Sequence, residues 1–252
     1  MRIPESILIT GAAGDIGSSL AYAYAKPGVK LHLIDIKEEK LGLAAEACRA
    51  RGAEVNQGIV DITRAEDMRR WIEEADRKKP LDLVIAIAGV CHGSAAKEET
   101  EEEIRSVFDV NLDGMLNTIL PALPMMRRRG RGQIALMSSQ AGARGFPIAP
   151  SYSATKAAIR VYGEALRGRL ARENIGVSVI NPGFIESAMT DDNPYYMPFL
   201  VPREKAVRII KDQLSKNRAH IVFPWLFKLG AALVSLCPMS LFTRVVSLKK
   251  RR

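Results

Sequence analysis

Cysteine is scarce. Cys48, Cys91 and Cys237 are scattered and odd in number, with no Cys-x-x-Cys and no Cys/His cluster. A disulfide framework and a structural zinc site are therefore not expected, and a reduced, cytosol-facing protein with no metal centre is. A secretory leader is missing too: Met1-Arg-Ile-Pro-Glu5 runs directly into an apolar strand, without an h-region or cleavage site. No internal repeat or low-complexity run occurs, and the composition is neither disordered nor collagen-like. Acidic residues are nearly absent from one end. From residue 200 onward twelve Lys/Arg face only Glu204 and Asp212, so the net charge of +9 belongs to that segment and the body is close to neutral.

What is present is alternation. Strands fit Ser6–Thr10, Lys30–Asp35, Glu54–Val60, Leu81–Ala88, Gln133–Met137 and Gly176–Ile180, and helices fit about 38–51, 64–78, 101–127 and 151–172. An Ala/Leu-rich helix also follows the first strand. Alternation of this kind predicts an α/β fold with a doubly wound parallel sheet (Rossmann-type) in three α/β/α layers. The 252 residues suffice for one large domain. Beyond Pro182, residues 183–202 read as a loop rich in Pro, Asn and Asp, before a helix near 203–217 and a strand near 219–223. We expect a unit over 1–222 and an apolar, basic extension over 223–252.

Tyr152 and Lys156 are four apart, on one helical face, with Ser139 thirteen residues upstream of the tyrosine. An ammonium beside a phenol favours the phenolate and lowers a pKa that starts near about 10. A tyrosine so tuned exchanges protons with an alcohol or ketone near neutral pH. Taken alone, the pair is also a common surface arrangement. Gly11, Gly14 and Gly17 follow the first strand directly, where glycines let backbone approach a pyrophosphate at a helix N-terminus. Small Ala12 and Ala13 keep that approach open. Asp35 ends the second strand, placed to accept from an adenosine ribose and to repel a 2′-phosphate, which favours NAD over NADP. Asp61 either touches the adenine edge or caps the helix from residue 64.

Five motifs in order resemble the single-domain branch of the short-chain dehydrogenase/reductases over roughly residues 5–190. They are Thr10-Gly-Ala-Ala-Gly-Asp-Ile-Gly17, Asn111 in Val-Asn-Leu-Asp-Gly, Ser138-Ser139-Gln-Ala-Gly, Tyr152-x-x-x-Lys156 and Asn181-Pro-Gly183. The resemblance implies a nicotinamide-dependent enzyme acting on a small alcohol or ketone. Tyr152 would be the general acid/base, Lys156 would hold the nicotinamide ribose and depress the phenol, and Ser139 would bind the substrate oxygen. Asn111 would anchor a water that links Lys156 to solvent. Thr10, Gly11, Ala13, Asp15, Ile16, Gly17, Asp35, Asp61, Ile62, Ala88, Gly89, Tyr152, Lys156, Pro182, Gly183 and Ile185 would contact the cofactor, with a substrate lid over 184–202. A homodimer or homotetramer through the 101–127 and 151–172 helices is implied as well.

Three positions depart from that pattern. Asp15 stands where the family usually has glycine, so a carboxylate either weakens dinucleotide affinity or caps the helix and points away. Ala86-Ile-Ala-Gly89 replaces an Asn-Asn-Ala-Gly, and Ser187 replaces a threonine. Two further readings concern charge. Arg127-Arg-Arg-Gly-Arg131 has no interleaved aromatics and reads as a solvated helix end rather than a nucleic-acid site. Leu229–Thr243 lacks charge for fifteen residues, short of the about 20 a spanning helix needs, and Pro238 breaks it. With Lys228, Arg244 and Lys249-Lys-Arg-Arg252 around it, the extension reads as an interfacial contact with an anionic membrane surface, on the cytoplasmic face. Packing on the lid or on a second subunit is the alternative. The expected activity is hydride transfer between a nicotinamide and a lipophilic secondary alcohol or ketone (steroid, retinoid, acyl or polyprenyl-like). A dinucleotide-binding scaffold without turnover is the alternative reading.

Overall fold

Residues of β1 (Ser6–Thr10) are all buried; Ile7 and Ile9 face one side while Leu8 faces the other. A strand apolar on both faces needs helices on both faces. The computed structural model describes residues 3–92, 98–191, 197, 199–225, 237–240 and 242. The expected lid therefore lies outside the described residues at 192–196 and 198, and the expected extension at 226–236, 241 and 243–252.

After β1 come α1 (Asp15–Tyr24), β2 (Lys30–Asp35), α2 (Glu38–Ala50), β3 (Glu54–Ile59), α3 (Ala65–Lys78) and β4 (Leu83–Ala86). They are followed by α4 (Glu101–Phe108), α5 (Gly114–Ile119), α6 (Ala122–Arg129), β5 (Gly132–Met137), α7 (Pro150–Leu170) and β6 (Ile175–Pro182). The short α8 (Ala188–Asp191), α9 (Arg203–Ser215) and β7 (His220–Phe223) complete the described elements. One seven-stranded sheet results, ordered β3-β2-β1-β4-β5-β6-β7, with every pair parallel. Helices α1, α2 and α9 bury one face of it, and α3, α5, α6 and α7 the other, as the sequence predicts.

Two details set up the site. Gly163 lets α7 press onto the sheet: a Cβ there would lie 2.5 Å from Val179 Cγ2 and 3.0 Å from Leu136 Cδ1. The continuous helix expected over 101–127 is instead broken. A π-helical turn, Asp109–Asp113, joins α4 to α5, and Pro121 opens α6. Such turns rotate a side chain out of the regular helical register. Here the residue concerned is Asn111, 1% exposed, which pairs with the backbone of Val90 on the segment after β4.

Candidate active site

The functional side chains gather where the strands end. Ser139 follows β5, and Tyr152 and Lys156 stand in the first two turns of α7. Ser139 hydrogen-bonds the Tyr152 phenol and accepts from Ala141 N at 3.1 Å. Lys156 is 3% exposed; its ammonium lies 5.3 Å from the Tyr152 ring centroid and donates to Met137 O at 2.9 Å. Ser138, which sequence reasoning set aside, donates to Lys156 O at 2.7 Å, so strand end and helix are laced in both directions. Asn111 accepts from Val90 N at 2.8 Å and donates to Val90 O at 2.9 Å and to Thr155 Oγ1 at 3.3 Å. Gly89 fits between the two: a Cβ there would lie 2.9 Å from Asn111 Oδ1 and 3.5 Å from Lys156 Nζ.

The electrostatics differ from the expectation that Lys156 lowers the phenol. Although the Tyr152 ring is partly exposed, crowding of the phenol by protein pushes it up to about 12. The Cys91 thiol adds to that, and the Ser139 hydrogen bond pulls the other way. The same burial pushes Lys156 down to about 8, against an opposing effect of Cys91. Desolvation opposes charge on both groups and is the largest effect on each. Cys91 is thus a neighbour of both residues, and no local sequence motif singles it out.

Across the sheet edge, Thr10 ends β1, Gly11 and Ala13 form the turn, and Asp15, Ile16 and Gly17 open α1. Gly11 adopts φ 69°, a left-handed conformation, and a Cβ on it would sit 2.8 Å from Ala88 Cα. At Gly17 a Cβ would come within 2.1 Å of Gly11 O, so α1 starts tight against the turn. Asp35 Oδ2 accepts from Ala13 N, and its Oδ1 from Lys37 N, each at 3.0 Å. A carboxylate has about four acceptor positions, which leaves capacity toward a ribose. Thr10 Oγ1 is buried and has no hydrogen-bond partner among the described residues. These features fit a nicotinamide dinucleotide.

The remaining expected contacts join the same edge. Ile62 is 7% exposed, and its carbonyl accepts from Asn117 Nδ2 at 2.9 Å. Asp61 Oδ1 accepts from Thr63 N and Thr63 Oγ1, a capping turn ahead of α3. Pro182 ends β6, Gly183 N donates to Phe223 O at 2.8 Å, and buried Ile185 bridges to Val201. Asp15 does not cap α1. Instead its Oδ2 accepts from Ala188 N at 2.7 Å, and Arg203 Nη1 lies 3.4 Å from Oδ1. Among the described residues no cluster of His, Cys, Asp and Glu could hold a metal ion.

Doubly wound sheets bind nucleotides where the strand order reverses, here between β1 and β4, and the strand order makes this a Rossmann-type fold. The family model described as short chain dehydrogenase matches residues 5–195. An uncharacterized oxidoreductase of Myxococcus xanthus is 33% identical over 239 residues, 94% of each chain. The 11-beta-hydroxysteroid dehydrogenase A of Sesamum indicum is 35% identical over 192 residues, 75% of this chain and 55% of that one. The apo form of LigD from Sphingobium sp. strain SYK-6 matches with a TM-score of 0.80 at 26% identity, over 93% of this chain and 98% of its own. The chain belongs to the short-chain dehydrogenase/reductase family and is an oxidoreductase of that NAD(P)-dependent group.

Proposed function

We propose that this enzyme interconverts a lipophilic secondary alcohol and its ketone, with Tyr152 as the general acid/base. The observation that carries the reading is the Ser139–Tyr152 hydrogen bond beneath the Lys156 ammonium. The dinucleotide supplies or accepts the hydride. Ser139, whose oxygen accepts from Ala141 N–H, turns its one hydroxyl proton from the Tyr152 phenol to the substrate oxygen as negative charge develops there. Tyr152, held at about 12, carries its proton at neutral pH and delivers it to that oxygen. Lys156 directs its remaining N–H groups toward the nicotinamide ribose, and Asn111 stays with it to relay protons. Thr10, Gly11, Ala13, Ile16, Gly17, Ile62, Ala88, Gly89, Pro182, Gly183 and Ile185 form the walls of the dinucleotide site. Asp35 selects NAD by repelling a 2′-phosphate.

Apolar residues exposed on the segments that follow β5, β6 and β7 support a lipophilic substrate: Ile148, Phe199, Leu200, Trp225 and Met239. Phe242 stacks edge-on with Phe146 at 5.8 Å, between Ser139 and Tyr152 in the chain. The sesame relative's name points to the same substrate class. The deciding experiment screens lipophilic alcohols and ketones with NAD(H) and NADP(H), using Tyr152→Phe as the blank. Turnover that survives in the blank overturns the mechanism, and activity confined to small water-soluble ketones overturns the substrate class.

The same reading covers assembly and location. Ile104, Phe108 and Val161 are exposed on α4 and α7 and suit a homodimer or homotetramer interface. A peripheral membrane contact is proposed for residues 223–252, because the uncharged run Leu229–Thr243 is fifteen residues long, short of the about 20 a spanning helix needs. Among the described residues no helix is long and apolar enough to cross a membrane.

A further inference from the structure

Asp15 sits at the first position of α1, next to the glycine turn that the proposed function assigns to the dinucleotide, where an uncompensated carboxylate would repel a pyrophosphate. Both of its oxygens are engaged from the substrate side. Oδ2 accepts from Ala188 N at 2.7 Å, and Oδ1 lies 3.4 Å from Arg203 Nη1. Arg203 also donates from Nε to Glu186 O at 3.4 Å. Around this point the two stretches of chain pair with each other: Glu186 N donates to Val201 O at 3.1 Å and Val201 N to Phe184 O at 3.0 Å. One carboxylate thus meets both ends of the segment that leaves the sheet after β6 and returns to it at α9.

The strength of the ion pair argues against a stabilising role. The two side chains are 33% and 32% exposed, and ion pairs that open to solvent add little to folding. Field at the dinucleotide turn is another matter, because a single unpaired charge acts on every anion that docks there. We propose that Asp15 is a positioning residue that fastens the start of α8 at Ala188 to the dinucleotide turn, and that Arg203 is the counter-charge making that carboxylate tolerable beside a bound pyrophosphate. The inference rests on the dinucleotide site proposed above.

The test measures Kd for NADH and NADPH by calorimetry on the full chain, alongside melting temperature and amide exchange at Ala188. Arg203→Met is expected to weaken binding about tenfold with little change in melting temperature. Asp15→Asn removes the charge but keeps an acceptor, so its affinity is expected to equal or exceed the wild type, with Ala188 still protected. The double variant, Asp15→Asn with Arg203→Met, should return to within about threefold of the wild type. Asp15→Ala should bind dinucleotide well yet expose the Ala188 amide to exchange. Failure of the wild type to bind either dinucleotide would sink the underlying site reading. Wild-type binding with Arg203→Met unaffected, or with a double variant as weak as Arg203→Met, would overturn the counter-charge. Unchanged Ala188 exchange in Asp15→Ala would overturn the fastening role.

Discussion

Burial acts on Tyr152 and Lys156 in opposite directions, raising the phenol to about 12 and lowering the ammonium to about 8. Proton transfer is the step at risk when the phenol is lost, whereas the cradle for the dinucleotide is not. Tyr152→Phe should therefore lower turnover by about 100-fold or more while leaving NADH affinity within about threefold, read from steady-state rates and calorimetry. A second buried group governs stability instead. His32 is 0% exposed between Ser6 Oγ and Asn56 Nδ2, each 3.4 Å away, with Trp71 edge-on at 6.0 Å. Its pKa is lowered to about 4, first by burial and then by Lys30. In the unfolded chain it titrates near about 6.5, so between the two values the unfolded state holds the extra proton. Stability contributed by neutral His32 is complete above about pH 6.5 and is lost as the pH falls toward 4, at about 1.4 kcal/mol per pH unit at most. Urea midpoints at pH 6.5 and 5 should separate by more in the wild type than in His32→Gln; equal separations would rule His32 out as the source.

Elements carry the fit between α7 and the sheet. Gly163→Ala forces a methyl against Val179 and should cost about 1–3 kcal/mol, measured as a lower urea midpoint with an unchanged slope. A normal midpoint would mean that α7 lifts off the sheet readily and does not hold Tyr152 and Lys156 rigidly. Strand and helix identities were legible in the sequence because the central strands must be covered on both faces and so read as apolar runs. Ser6–Thr10, Lys30–Asp35 and Arg203–Ser215 fall where the apolar pattern puts them, give or take helix ends. The break at Asp109–Asp113 was not legible, since its cause is the pairing of Asn111 with Val90, a contact between segments distant in the chain. The grouping of Ser139, Tyr152 and Lys156 was readable from spacing on one helix and the strand before it. Ser138, Cys91 and the partners of Asp15 were not, because only the assembled sheet edge brings them together.

At the scale of the whole molecule, charge and apolar surface are divided between regions. Replacing Lys249, Lys250, Arg251 and Arg252 with Gln should abolish co-sedimentation with vesicles containing phosphatidylserine at low salt, with turnover on soluble substrates intact. Binding that persists would assign membrane affinity elsewhere or to apolar burial alone. Phe108→Glu on α4 should likewise shift sedimentation toward the monomer, since the charge would be buried at the proposed interface. A final consequence follows from the lacing of β5 to α7, in which Ser138 Oγ donates to Lys156 O while Lys156 Nζ donates to Met137 O. These two bonds make the end of β5 and the first turns of α7 one mechanical piece. Amide exchange would test this: β5 and the first turns of α7 should exchange only when the whole protein unfolds, while the stretch around Ala188 exchanges through small local excursions.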